Sequence, residues 1–146
     1  MDLAYELFDL VRTLDRAADR VLRTQGLSWN RYLALVVLSE HEGLTVRMLA
    51  GAIGISEPST SNLVRKLVDA GFIDNSAPAG AGNVRHLTVT PTGIVKKNVC
   101  SKLLGDSLDD NAIRIGIDPG ELAGTIRRLH DEVRAPAASA AEGAHR

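Results

Sequence analysis

The chain of 146 residues has one cysteine, Cys100, so no internal disulfide can form, and it fits a reducing compartment. No run approaches the ~18 consecutive apolar residues of a membrane span, and the opening MDLAYELFDLVRTLDRAADR places no basic segment ahead of an unbroken apolar one. A cytoplasmic protein with no membrane partner is therefore expected. The net charge of −1 supplies no bulk attraction for a polyanion. His41, His86, His130 and His145 show no ligand spacing with one another or with a second cysteine, so neither a metal site nor a cofactor is expected. Sets of the Ser/His/Asp kind and paired carboxylates are missing, and the alanine-glycine run near residue 80 lacks the lysine of a phosphate-binding loop. These absences argue against an enzyme.

What is present is a soluble composition, 45% hydrophobic and 24% charged, with enough length for one domain and its core. Residues 2–24 repeat Leu3, Leu7, Leu10, Leu14, Ala17 and Val21 at alternating spacings of four and three, with Ala4, Phe8, Val11, Ala18 and Leu22 as a second row beside them. That apolar face is wider than one contact needs, so the helix should be buried on two sides. Gly26 should end it, Ser28 should cap a helix over 29–41, and Gly43 should close that one. Thr45 then caps a short helix, and Gly54 to Ser56 turns into a second, up to about Ala70, with Leu63, Val64, Leu67 and Val68 as its stripe. Short strands are predicted at 72–74 and 84–89, joined across SAPAGAGN. Thr90-Pro91 opens a helix to about Asn111, and Asp118-Pro119 opens a last one carrying Leu122, Ile126, Leu129 and Val133. Between them Ile113, Ile115 and Ile117 stand two apart, as in extended chain, and the sequence leaves open whether the preceding helix reaches into them.

A long helix, a second helix, a helix-turn-helix with a β-hairpin and two more helices resemble the MarR family of bacterial transcriptional regulators. The resemblance rests on LSWNRYLALVVLSEHEGLTVRMLAGAIGISEPSTSNLVRKLVDAGFI and, twelve residues later, the junction LTVTPTG. It implies a mainly α fold with a small β-wing, in which 28–90 is the winged helix-turn-helix, 1–27 and 91–135 are dimerisation helices, and 136–146 is a flexible Ala-rich tail. It also implies a homodimeric, ligand-responsive repressor on double-stranded DNA at a pseudo-palindromic operator. A winged helix that has lost DNA binding and pairs with a protein is the alternative.

The residue-level expectations follow from the front half of the second helix of the motif, which carries Ser56, Ser59, Thr60, Ser61 and Asn62. Capping accounts for Ser56, with Pro58 tolerated in the first turn. In a helix-turn-helix this end enters the major groove, where short polar groups reach bases and phosphates. Arg65 is then the candidate for guanine, Asn62 for adenine and Lys66 for a phosphate, with Ser59 and Ser61 suited to either and Thr60 nearer the core. Arg47 either touches a phosphate or is simply solvated. Over 45–90 the balance is only +1, which predicts weak non-specific binding. Where family wings commonly carry an acid-x-arginine pair, this chain has Ala81 and Asn83, and Asn75 replaces a common arginine, leaving Arg85 as the hairpin's cation. Trp29 and Tyr32, one turn apart in a chain with 3% aromatics, either pack the core or contact a small aromatic effector. Cys100, beside the Val99 and Leu103 stripe, is expected to be buried and inert.

Overall fold

Short polar side chains start the helices, and glycines in left-handed conformation end most of them. The computed structural model describes residues 1–77 and 84–136. The wing positions Ala81 and Asn83, His145 and the tail from residue 137 lie outside the described residues. Asp2 caps α1 (Leu3–Thr24) by accepting from the amides of Ala4 and Tyr5. Ser28 caps α2 (Trp29–Glu40), Thr45 caps α3 (Val46–Ile53) and Ser56 caps α4 (Glu57–Asp69), each accepting from an amide three residues on. Gly26, Gly43, Gly54 and Gly71 all have positive φ, which a side chain would strain.

The hairpin β1 (Ile73–Ser76) and β2 (His86–Val89) is antiparallel, with Ile73 opposite Val89 and Ser76 opposite His86. Strand β1 thus starts one residue later and runs two further than predicted. A third piece of backbone joins it, because Leu87 donates its amide to the Leu44 carbonyl at 2.8 Å. His86 adds a bond beside it, its Nδ1 donating to the Gly43 carbonyl at 2.7 Å. Helix α5 (Pro91–Arg114) follows, then α6 (Pro119–Arg134). Among the described residues the architecture is the predicted one: mainly helical, with a small two-stranded wing beside a helix-turn-helix.

The chain divides into two compact units, Met1–Leu104 and Gly105–Arg146, with the boundary inside α5. In the first, Leu22, Leu35, Leu38, Leu49, Leu67, Ile73, Leu87 and Cys100 are almost wholly buried in one core. The junction between hairpin and α5 is locked there by Thr90, whose hydroxyl donates to Gly71 O at 2.7 Å and accepts from Gly93 N at 3.1 Å. Gly93 has no room for a side chain, since a Cβ would lie against the Phe72 carbonyl oxygen and 2.8 Å from Val89 Cγ1. That packing explains the glycine of the TPTG junction.

One expectation about apolar residues is corrected. Val68 is 38% exposed and lies outside the core, because Thr60, Leu63, Val64 and Leu67 already fill the inward face of α4. On α1 only Leu22 is fully buried, while Leu3, Phe8, Leu10 and Val11 are exposed, so its wide apolar face is not covered within one chain.

In the second unit the isoleucine alternation marks a helix end rather than a strand. Helix α5 runs through Arg114, and Gly116 N bonds Ile113 O at 3.0 Å while Ile117 N bonds Ala112 O at 2.9 Å. This is a Schellman stop with Gly116 left-handed, in which Ile117 stands where an apolar residue usually folds back on the last turn. Asp118 then caps α6, along which Leu122, Ile126, Leu129 and Val133 are all exposed.

Candidate nucleic-acid interface

The inward positions of α4 repeat at helical spacing, so everything between them faces out. Ser59, Ser61, Asn62, Arg65 and Lys66 are all exposed on that outer face. Thr60 is fully buried, and its hydroxyl donates to Ser56 O at 2.9 Å. Ser56 also donates its hydroxyl to Ser59 at 2.9 Å, which ties the Ser59 side chain to the cap. The small polar residues therefore divide: Ser56 and Thr60 hold the helix end together, while Ser61 and Asn62 present their side chains outward.

The starts of α3 and α4 and the hairpin enclose a shallow cleft lined by Thr45, Val46, Arg47, Glu57, Ser61, Asn75, Val84 and Arg85. Three of the expected DNA-contacting residues, Arg47, Ser61 and Arg85, meet here. Arg47 faces Glu57 across it, Nε to Oε1 at 3.7 Å, with the two side chains 90% and 56% exposed. Arg85 donates to the Asn75 carbonyl at 3.4 Å. Asn62, Arg65 and Lys66 are not among the lining residues and occupy the helix face beyond it. Two cleft residues escaped the sequence reasoning. Glu57 entered only as a unit of charge, although an acid in the first turn beside a cap is visible in the sequence. Asn75 was noted only for what it replaces, yet its Oδ1 is buried with no hydrogen-bond partner.

The aromatic pair is separated by function of position rather than by distance. The rings of Trp29 and Tyr32 lie 5.7 Å apart at 52°. Tyr32 is buried, and its hydroxyl shares a 2.7 Å hydrogen bond with Ser101 on α5, so it acts as a core residue with a satisfied polar end. Trp29 is 43% exposed and lines a cleft with Asp15, Arg16, Asp19, Ser28 and Asn30. Tyr32 is not part of that lining. Cys100 is fully buried; burial pushes its thiol above the ordinary range, and the nearby Lys96 ammonium pulls the other way. Among the described residues no group of His, Cys, Asp and Glu could hold a metal ion, and no helix is long and apolar enough to cross a membrane.

The MarR family model matches residues 25–82. A transcriptional regulator of Rhodobacter capsulatus, PetP, of the helix-turn-helix type, is 25% identical over 96 residues, 66% of this chain. This chain spans 58% of that relative's length. Among solved structures, MepR, a transcription regulator of the Staphylococcus aureus multidrug efflux pump MepA, aligns with a TM-score of 0.74 at 19% identity, over 91% of this chain and 97% of its own. The Mycobacterium tuberculosis MarR family protein Rv2887, in complex with DNA, aligns with a TM-score of 0.73 at 19% identity, covering 92% and 99%. The same protein in complex with salicylic acid gives 0.70 at 21%, covering 90% and 96%. At these identities the structural likeness establishes the fold.

Proposed function

We propose, from the match of the MarR family model to residues 25–82, that the chain is a homodimeric DNA-binding regulator, a repressor whose operator affinity falls when a small aromatic acid binds. The observation that carries this is the two-faced α4, with Thr60, Leu63, Val64 and Leu67 inward and Ser61, Asn62, Arg65 and Lys66 outward beside a wing. Arg65 contacts guanine, Asn62 adenine, and Lys66, Arg47 and Arg85 the phosphates, with Ser59 and Ser61 supporting either.

Dimerisation is supported by two apolar faces that the chain leaves open. Leu3, Phe8, Leu10 and Val11 are 47–74% exposed on α1, and Leu122, Ile126, Leu129 and Val133 are 39–76% exposed on α6. Monomers rarely expose contiguous apolar patches beyond about 300–600 Å². A two-fold dimer sets the two α4 helices about 34 Å apart, one turn of duplex, on a pseudo-palindromic site. For the effector, the Trp29 cleft offers a ring to stack on and the Arg16 guanidinium to meet a carboxylate. The salicylic acid complex of Rv2887 supports that choice of ligand class.

Fluorescence-anisotropy titration of duplexes tiling the DNA upstream of the protein's own gene tests the assignment. One segment should bind at least ~1,000-fold more tightly than random duplex, the low end of specific recognition, and salicylate should release it while quenching Trp29. Equal, weak binding to every segment would remove the operator and favour the protein-interaction module instead.

A further inference from the structure

The cleft between α3, α4 and the hairpin holds cations meant for phosphates, yet Glu57 is the one acid among its described lining residues. Its carboxylate stands at the first position of α4, 3.7 Å from Arg47 Nε. A carboxylate beside a helix N-terminus is locally favourable, but Ser56 already caps this end through Ser59 N. On a DNA-facing surface the same charge is costly, because it opposes phosphate and occupies a neighbouring guanidinium. Over 45–90 the formal balance is +1, so one acid within the contact zone changes the local field substantially.

We propose that Glu57 is a specificity-determining residue that restrains sequence-independent DNA binding, by holding Arg47 and by opposing phosphate in the cleft between α3 and the hairpin. The inference rests on the DNA-binding assignment above. Non-specific affinity is almost entirely phosphate neutralisation. A cation tied to Glu57 contributes less to that term, and binding then depends more on the outer face of α4. Because the pair is exposed, its hold on Arg47 is modest. The brake is therefore a matter of severalfold changes in affinity rather than an on-off gate.

The test uses the full-length protein, its Glu57→Gln, Arg47→Gln and double variants, and a labelled random-sequence duplex of about 30 base pairs, titrated between about 50 and 200 mM salt. Glu57→Gln should bind about three- to tenfold more tightly at the lower salt. Its log–log salt slope should steepen by about 0.9, the value of one added phosphate contact, so the gain should shrink roughly 3.5-fold across that range. Arg47→Gln should cost more in the Glu57→Gln background than in the wild type, the signature of a coupled pair. Unchanged affinity and slope in Glu57→Gln, with measurable wild-type binding, would overturn the inference alone. Weaker binding together with a lowered melting temperature would also overturn it, by assigning Glu57 a purely structural role. Failure of all four proteins to bind any duplex would overturn the DNA-binding assignment along with it.

Discussion

Replacing Gly93 by alanine sets two opposing effects against each other at one helical position. Intrinsic propensity favours the change, since alanine in a helix interior is better than glycine by about 0.8–1.0 kcal/mol. Packing opposes it. The added Cβ would fall against the Phe72 carbonyl oxygen, 2.9 Å from the Phe72 carbonyl carbon and 2.8 Å from Val89 Cγ1. Val89 can rotate, but the Phe72 carbonyl is backbone and already accepts the Thr90 amide at 3.0 Å. Helix α5 must therefore shift away from the hairpin, and overpacking of this kind costs about 1–3 kcal/mol or more. Packing wins, for a net loss of up to about 2 kcal/mol. Gly51 in α3 is the control, because a Cβ there meets nothing within 4 Å and the residue is exposed. Gly51→Ala should gain roughly 0.5–1 kcal/mol. Urea denaturation followed by circular dichroism at a single fixed protein concentration measures both, concentration being held because a dimer's stability depends on it. If Gly93→Ala stabilised the protein as Gly51→Ala does, the close approach of α5 to Phe72 would be wrong.

Further outcomes follow from the interface and the buried thiol. Arg65→Ala should cost about 1–3 kcal/mol on a specific duplex and relax preference at one base position, measured by competition with single-base variants. Arg85→Ala should weaken all duplexes alike and flatten the salt slope by about one, read from titrations at several salt concentrations. Cys100 should react with a thiol reagent only at the rate of unfolding in native buffer and rapidly in denaturant, since it is fully buried. Its raised folded pKa also sets a sign: the stability it contributes is complete below the ordinary thiol value and is lost as pH rises through the folded value. Cys100→Ala should therefore blunt the alkaline loss of stability in a pH series of melting curves.

Local chemistry made much of this fold readable. Ser28, Thr45 and Ser56 cap helices in the structure as their sequence neighbourhoods require, and Gly54 and Gly71 adopt the left-handed turns that their positions predict. The division of α4 into inner and outer faces followed from the spacing of Leu63 and Leu67, since helical periodicity is a local property. In the sequence Ile113, Ile115 and Ile117 leave the choice open because alternation is shared by a strand and by a helix that ends in a Schellman turn, and backbone bonds from Gly116 and Ile117 decide between them. The pairing of Arg47 with Glu57, ten residues apart on different helices, and the insertion of Asn75 beside them depend on how α3 meets the hairpin. No spacing rule encodes that. Tyr32 was ambiguous for a similar reason, because its partner Ser101 lies 69 residues away.

The fastening of strand β2 to Gly43 and Leu44 ties the wing to the end of α2. Its first residue, Trp29, lines one cleft, and the turn just past its last residue is pinned to His86 and Leu87 of the wing. Twelve helical residues make a strut of about 18 Å. A tilt of about 5° at the tryptophan end moves the other end by roughly 1.6 Å over that length. The two short bonds to Gly43 and Leu44 join the far end of this strut to strand β2, so the cleft at Trp29 and the hairpin stand at opposite ends of one helix.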